Sequence, residues 1–296
     1  SGTWNDTTLA NIHHLSLLVP YKPVEIRDFY AACSGSMFSA YIDDAGRSNS
    51  YDEGDLITES GFMIEDILRN HVGVPAANID TASYDAAANS SVEARLNIHA
   101  NNKASSNIFI KQLVEQSTFR HCWTLDARSR LIPLNDTSPT TTVIIPFSHI
   151  KGGKIDVSHT SKTYNVLNIQ HRFLQEYGDI FRDFTQIKHS TSSAGEKHYD
   201  SSWENITGDS ATHVGNHLVG NANSLFANKH LLVDLEMIDA TGIHLQLGDY
   251  FELDSNTCDV QVRPKTGESW SGKQFLIYSI KHGMIGTKLK GIQLFT

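Results

Sequence analysis

The chain has 296 residues, of which 40% are hydrophobic and 9% aromatic, so it can bury a core and is not a wholly disordered protein. Its 24 basic and 33 acidic residues give a net charge of −9, which argues against general binding of nucleic acid or of anionic membranes. The three cysteines, Cys33, Cys122 and Cys258, are too far apart for a CxxC metal clip and odd in number for a disulfide framework.

The N-terminal region, residues 1–55, is predicted to be β-rich. Alternation over residues 38–42 is typical of a strand, and the polar residues 43–46 are typical of a hairpin turn. No signal peptide is visible, and no apolar run reaches the roughly 18–20 residues that cross a bilayer, so we expect no direct membrane insertion. Because the chain starts at Ser1, we expect it to be processed or to be part of a longer protein.

The middle region, residues 56–139, is predicted to contain the best helices of the chain. Apolar residues at helical spacing predict a first helix that ends at Gly73, and a second such pattern is followed by two short strands. Pro133 cannot donate to a β ladder, so the second of these strands is expected to end near it or to lie at a sheet edge. The predicted elements cover residues 62–73, 104–117, 119–125 and 131–134.

The C-terminal region, residues 140–296, is predicted to be a β-barrel domain with a polar loop at about residues 190–228. That loop is rich in Ser, Thr, Asn and Gly and shows no apolar period. The predicted strands cover residues 141–147, 155–158, 166–173, 231–238, 250–253, 258–262, 275–280 and 288–295. The fold class predicted for the chain is α+β, mainly antiparallel β, with two barrel-like parts and a helical insertion.

The sequence contains few candidates for catalysis. His213 and His217 are spaced i, i+4 as in HExxH zinc sites, but Val214 stands where the catalytic Glu would be, and Gly215 weakens a helix there. They are weak metal candidates, and solvated loop histidines are the simpler interpretation. No GxSxG, P-loop or GxGxxG pattern occurs, and Cys122 is expected to be a buried, inert thiol. We therefore expect no catalytic residue, no cofactor and no metal.

Aromatic and histidine residues allow two further expectations. Trp4, Trp203 and Trp270 could be exposed rings that stack on sugars, whereas the alternative places Trp270 and Trp123 in the cores of strands. The histidines that alternate with apolar neighbours, including His149 and His171, are expected on sheet surfaces.

Four segments in order, residues 54–87, 104–134, 147–184 and 245–294, resemble the tail-hub or baseplate-hub proteins of tailed bacteriophages. The first carries an Ile-Glu-x-Ile-Leu-Arg core and an Ile-Asp-x-x-Ser-Tyr-Asp tail, and the last carries Leu-Gly-Asp before a strand. The order and spacing of the segments support the resemblance more than any single motif does. The matching residues are Ile64, Glu65, Ile67, Leu68, Arg69, Ile79, Asp80, Asp85, Asn168, Gly248, Asp249, Trp270 and Phe275.

The resemblance implies a structural virion protein that is not an enzyme. In the family, a homotrimer of duplicated barrels forms the hub at the distal end of the tail tube, joins the tube to the baseplate or tail tip, and closes or gates the channel. The implied partners are further copies of the chain, tail-tube and distal tail proteins, and a central spike or fibre, with DNA only in transit through the lumen. Assembly in the host cytoplasm and a final location in the virion follow from the same likeness.

Two alternatives remain open at the level of sequence. One is a carbohydrate-binding module that recognises the host surface through exposed tryptophans. The other is a metal-dependent cell-wall hydrolase that uses His213 and His217.

Overall fold

A computed structural model describes most of the chain after residue 55, and every structural statement below concerns the residues that it describes. The strand predicted at 38–42, Trp4, His213 and His217 lie outside them. Among the described residues, no helix is long and apolar enough to cross a membrane. The described residues are 56–89, 105–134, 142–160, 163–174, 180–188, 196–204, 206, 229–265 and 267–294.

The three longer helices lie in the first third of the described chain. Helix α1, Ser60–Asp66, continues as a π-helical turn, Ile67–Val72, and ends at Gly73, whose φ of 82° is the left-handed conformation of a C-terminal glycine. The predicted first helix is thus confirmed. Helix α3, Ser106–Gln116, confirms the second. Helix α2, Thr81–Asn89, was not predicted, because its alanine-rich sequence has only a weak apolar period.

A two-stranded hairpin follows α3. Strands β1, Phe119–Trp123, and β2, Ser129–Pro133, pair in antiparallel register from Phe119 opposite Pro133 to Trp123 opposite Ser129. Pro133 ends β2, as its missing N–H predicts.

Nine further strands form two sheets. Strands β3, β9, β10, β11, β8 and β4 form a six-stranded sheet in that order, curled into a half-barrel, with the only parallel pair of this sheet between β3 and β9. Strands β6, β5 and β7 form a three-stranded sheet. Their bounds are β3 Val143–Ile145, β4 Ile150–His159, β5 Val166–Leu174, β6 Ile180–Lys188, β7 His198–Trp203, β8 Leu231–Ile238, β9 Tyr250–Leu253, β10 Gln274–Gly283 and β11 Gly286–Ile292. The fold class is therefore α+β and mainly β.

Two of the predicted segments differ in the structure. The segment predicted as a strand at 258–262 is instead the end of a short helix, α4, Ser255–Cys258, and the turn after it. The reason is local: the side chain of Asp254 accepts a hydrogen bond from the backbone N–H of Asn256 and caps the helix. The predicted polar loop contains strand β7, whose polar residues are exposed while Trp203 is buried.

Buried side chains form two main cores. The first joins α1, α2, α3, the hairpin and the three-stranded sheet; its members include Ile64, Leu68, Tyr84, Leu113, Leu131, Leu167, Ile169 and Trp203. The second lies on one face of the six-stranded sheet and includes Val233, Leu235, Phe251, Trp270, Phe275, Ile277 and Leu289. A smaller cluster, Cys122, Ile132, Leu276 and Leu294, packs the hairpin against the six-stranded sheet. The division of the chain into parts 1–55, 56–139 and 140–296 stays a prediction.

Candidate functional site

Arg130 on β2 lies where the helical part, the hairpin and the six-stranded sheet meet. Its Nε donates to Oδ2 of Asp80 at 2.9 Å, and its Nη1 donates to Oδ1 of Asp249 at 3.0 Å. The three side chains are 23–30% exposed, so the ion pairs are neither fully buried nor fully screened. Burial lowers the pKa of Arg130, but the hydrogen bonds to the two carboxylates outweigh it and raise the pKa above its ordinary value. We call Asp80, Arg130 and Asp249 the junction triad.

The segment before and within α2 docks on the edge of β2 through its own motif residues. The backbone N–H of Asp80 donates to the carbonyl of Ser129 at 2.9 Å, and Ile79 forms a bridge with the same residue. Ser83 Oγ accepts from the backbone N–H of Leu131 at 3.1 Å. The Ile-Asp-x-x-Ser-Tyr tail of the first motif thus satisfies the backbone groups of a strand edge.

The Leu-Gly-Asp segment approaches the triad from the other side. The backbone N–H of Gly248 donates to the carbonyl of Ile277, and the N–H of Ile277 donates to the carbonyl of Asp249, so this turn is anchored on β10. Oδ2 of Asp249 accepts from the N–H of Gln246 at 2.8 Å, which leaves Oδ1 aimed at Arg130. Gly248 has a φ of 88°, and a Cβ there would lie 2.2 Å from Cδ1 of Ile132. Only glycine fits that close approach.

A buried hydrogen-bonded chain lies beneath the triad. The hydroxyls of Tyr84 and Ser129 are 2.6 Å apart, and Ser129 Oγ is 2.8 Å from Nε2 of His121. Burial raises the pKa of Tyr84 above its ordinary value and lowers that of His121. Both shifts favour neutral side chains. All three groups are satisfied when Tyr84 donates to Ser129 and Ser129 donates to a neutral His121.

Two further contacts tie the hairpin to the six-stranded sheet. Arg120 donates from Nη2 to the carbonyl of Tyr278, and its guanidinium lies 5.9 Å from the centre of the Tyr278 ring, in cation–π range. The thiol of Cys122 is buried and lies 3.8 Å from the carbonyl of Leu247. Burial raises the pKa of Cys122, which keeps it a protonated thiol as the sequence predicts.

The other motif residues lie within the cores and sheets. Ile64, Ile67, Leu68 and Ile79 belong to the first core. The fully buried Glu65 pairs with Arg69 at 2.7 Å along α1. Asp85 is half-buried on α2.

The remaining three motif residues lie in or against the two larger sheets. Asn168, at the centre of the three-stranded sheet, donates to Asp200 on β7 and accepts from Gln186 on β6. Trp270 and Phe275 are fully buried against the six-stranded sheet. Whether any of these positions has a functional role stays a prediction.

The aromatic and histidine expectations are partly wrong. Trp203 and Trp270 are buried, so neither ring can stack on a sugar; the indole N–H of Trp270 donates to the carbonyl of Val262 at 2.6 Å. Trp123 is 48% exposed because it sits at the end of β1, beyond the hairpin's packing against the sheet, and is not a core residue. Neither histidine lies on a sheet surface: His171 is buried and contacts the hydroxyl of Thr185, and His149, although exposed, ends a short 3-10 helix before β4.

The described site is a structural contact that holds parts of the fold together. Neither Ser129 nor Cys122 is an accessible nucleophile, since both are buried and Ser129 is held between two partners. In the part of the chain that the structure describes, no group of three or more His, Cys, Asp or Glu could hold a metal ion. The triad and the hydrogen-bonded chain beneath it instead fix the orientation of the hairpin between two cores.

The sequence motifs contain two of the three members of the junction triad. Asp80 and Asp249 belong to the motifs, but Arg130 lies in a polar loop-like stretch, 50 residues from one partner and 119 from the other. Ser129 was missed for the same reason. The sequence contains one indication that these residues are held in place, because Ser129 and Arg130 directly precede the apolar pair Leu131 and Ile132 at the start of a strand.

No protein-family model and no curated protein matches this sequence. Among solved structures, a chain of the virion of a native gene transfer agent particle is similar, with 12% identity and a TM-score of 0.53, over 79% of this chain and 47% of that chain. Two prophage proteins are also similar. The 43 kDa tail protein of prophage MuSo2 from Shewanella oneidensis has 10% identity and a TM-score of 0.44 over 87% and 72% of the two chains. Tail protein gp18 from Listeria monocytogenes has 10% identity and a TM-score of 0.40 over 68% and 56%.

The likeness to the gene transfer agent chain shows a shared fold. At TM-scores below 0.5 the two prophage proteins add no weight to that conclusion. This chain spans about half the length of the gene transfer agent chain.

Proposed function

We propose that this chain is a structural component of a phage-type tail, forming the hub at the distal end of the tail tube. In this role copies of the chain assemble, as a homotrimer, between the tube and the baseplate or tail tip, and contact a central spike or fibre. The channel that the copies surround conducts DNA and is closed or gated by them. The role is structural and includes no catalytic step.

The observation that carries the proposal is the fold shared with a chain of a virion particle. The ordered motif segments, which resemble those of hub proteins, support it independently of that likeness. The junction triad suits such a role, because a subunit that transmits force between neighbours needs its parts held in one orientation. Ring closure through copies of one chain leaves no open edge at which growth could continue.

The copy number of the chain in its particle tests the proposal. Image analysis of purified particles, with the chain located by an epitope tag at its C-terminus, should show a ring of three copies at the distal end of the tail. Light scattering of the purified chain at micromolar concentration should show the same trimer. A tag located on the head or along the tail shaft, or a monomer under all conditions, would contradict the proposal.

The structure weakens one of the two alternatives, and the other depends on residues outside those that it describes. The carbohydrate-binding alternative has lost Trp203 and Trp270 as stacking surfaces, since both are buried. The metal-dependent hydrolase depends on His213 and His217, which lie outside the described residues. Elemental analysis of the purified chain for zinc, before and after replacement of His213 by Ala, tests it directly.

A further inference from the structure

The hairpin turn between β10 and β11 presents an apolar tip to solvent. Met284 is fully exposed and Ile285 is 72% exposed, between two glycines that end the pairing of the strands. Ile243, also exposed, follows Gly242, where a Cβ would lie 2.9 Å from Cβ of Thr287 on β11. Apolar side chains of this size stabilise a contact when they become buried. We call Met284, Ile285 and Ile243 the tip patch.

Lysines lie on the strands behind the tip patch. Lys281 on β10 pairs directly with Lys288 on β11, an arrangement of like charges that destabilises an isolated hairpin. Lys288 and Lys151 share a single carboxylate, that of Glu236, at 3.5 Å and 2.6 Å. Residues 281–288 contain two lysines and no carboxylate, in a chain with a net charge of −9. The tip is thus apolar at its end and basic behind it.

A second exposed apolar surface lies at the far edge of the same sheet. Ile144 on the edge strand β3 is 64% exposed and pairs with Glu252. Val260, in the turn after α4, is 77% exposed and follows Asp259 directly in sequence. The two segments are held together, since the backbone N–H of Asp254 donates to the carbonyl of Ile145 at 3.0 Å. We call Ile144 and Val260 the edge patch.

The edge patch has the opposite charge from the tip patch. Residues 252–263 contain three carboxylates, on Glu252, Asp254 and Asp259, and one arginine. The two patches also cannot meet within one chain. They lie at opposite ends of β10, which begins beside Glu252 and ends at the tip, and a ten-residue strand spans about 30 Å.

We propose that the tip patch of one copy of this chain binds the edge patch of a second copy. Apolar side chains then face apolar side chains, and the lysines behind the tip face the carboxylates around the edge. Because the two surfaces differ, the contact is heterologous and repeats from copy to copy until a ring closes. This inference rests on the proposed function, in that it names the surface through which its copies assemble.

The test uses one variant for each patch. Met284→Glu places a negative charge that the edge patch repels, and Val260→Lys places a positive charge that the tip patch repels. Ile108→Glu, at an exposed apolar residue of α3, a helix that packs in the first core and not on the six-stranded sheet, is the matched control. Light scattering over a concentration series should show the wild type and the control assembling alike, and each patch variant at least about 30-fold weaker.

Mixing the two patch variants gives the most direct result. Each variant retains one intact patch, the two intact patches are complementary, and the two introduced charges are opposite in sign, so an equimolar mixture should form assemblies that pair the two variants and that neither variant forms alone. Native mass spectrometry resolves this pair if one variant carries a mass label. Variants that assemble like the wild type, or that fail to pair when mixed, overturn the inference and leave the proposed function standing.

Two further outcomes are informative. A wild type that is monomeric at all concentrations contradicts the self-assembly in the proposed function as well as this interface. If that monomer instead co-sediments with vesicles of phosphatidylcholine and phosphatidylglycerol, and Met284→Glu abolishes the binding, the tip patch belongs to a lipid surface and the inference is wrong. Loss of assembly in Met284→Glu but not in Val260→Lys indicates a tip-to-tip contact and also overturns it.

Discussion

Arg130 and Asp249 are 119 residues apart in the chain, yet Nη1 of the arginine lies 3.0 Å from a carboxylate oxygen of the aspartate. The same guanidinium holds Asp80 through its other edge. One side chain thus joins the segment that begins α2 to the turn that precedes β9. The backbone N–H of Gln246 orients the carboxylate of Asp249, and the backbone N–H of Asp80 holds that residue on β2 through the carbonyl of Ser129.

Replacement of Arg130 by Met should destabilise the protein by about 2 kcal/mol. The aliphatic part of the side chain is kept, while two partly buried carboxylates lose their shared cation. The matched control is Arg128→Met, whose ion pair with Asp126 is more than half exposed and should contribute far less to stability. Urea denaturation followed by circular dichroism measures both. Equal losses for the two variants would show that the triad contributes no more than a surface pair.

Gly248→Ala should destabilise the protein by about 2–4 kcal/mol. The positive φ at residue 248 is strained for alanine, and the new methyl group would overlap Cδ1 of Ile132. Gly272→Ala is the control, because Gly272 also has a positive φ, of 72°, but has open space around it. It should lose only the roughly 1–2 kcal/mol that the backbone conformation costs.

The clash at Gly248 can be tested separately from the backbone strain. Ile132→Val removes the Cδ1 atom that a Cβ at residue 248 would meet. The double variant Gly248→Ala, Ile132→Val should therefore be less destabilised than the sum of the two single variants. Strict additivity in thermal or urea unfolding would mean that the loss comes from φ alone.

Stability should fall as the pH is lowered below about 6.5, in part through His121. Burial lowers the pKa of this histidine in the folded protein, so the unfolded chain takes up the proton first. The stabilisation is therefore complete above the unfolded pKa and is lost as the pH falls through the window between that value and the lower folded pKa. Protonation also places a donor at Nε2, where Ser129 needs an acceptor.

The variant His121→Gln isolates this contribution. Its amide can still bond to Ser129 but does not titrate. The free energy of unfolding of this variant should change less between pH 7.5 and pH 5 than that of the wild type. A pH dependence identical in the two proteins would assign the effect to other groups.

Local patterns predicted much of the fold. The apolar spacing before Gly73 predicted α1 and its end, and the strand-like segment Leu231–Ile238 predicted β8, whose residues alternate between buried and half-buried. The predictions failed where one local interaction outweighed the pattern. The cap at Asp254 begins a short helix, so the segment predicted as a strand becomes the end of that helix and a turn, and in β7 the one buried residue, Trp203, follows polar and charged residues.

The junction triad could be predicted only in part. Asp80 and Asp249 stand in recognisable motifs, but a carboxylate in a polar turn looks the same in sequence whether it is solvated or paired. What distinguishes them is a contact across 50 and 119 residues. One sequence carries no direct signal for such a pairing, because loop closure over these distances depends on the whole fold.

Strands β4 and β8 are neighbours in the six-stranded sheet, but the residues between them leave that sheet and form β5, β6 and β7, which pack with the helices. The polypeptide therefore passes from the first core to the six-stranded sheet, back to the first core, and then to the six-stranded sheet again. No single cut separates the two cores into continuous pieces, since a cut between β4 and β5 parts β3 and β4 from the other four strands of the six-stranded sheet, and β5, β6 and β7 from the helices of the first core. A shortened chain that ends before β8 should therefore keep the residues of the first core but expose the apolar residues of β3, β4 and the hairpin that pack against β8 to β11.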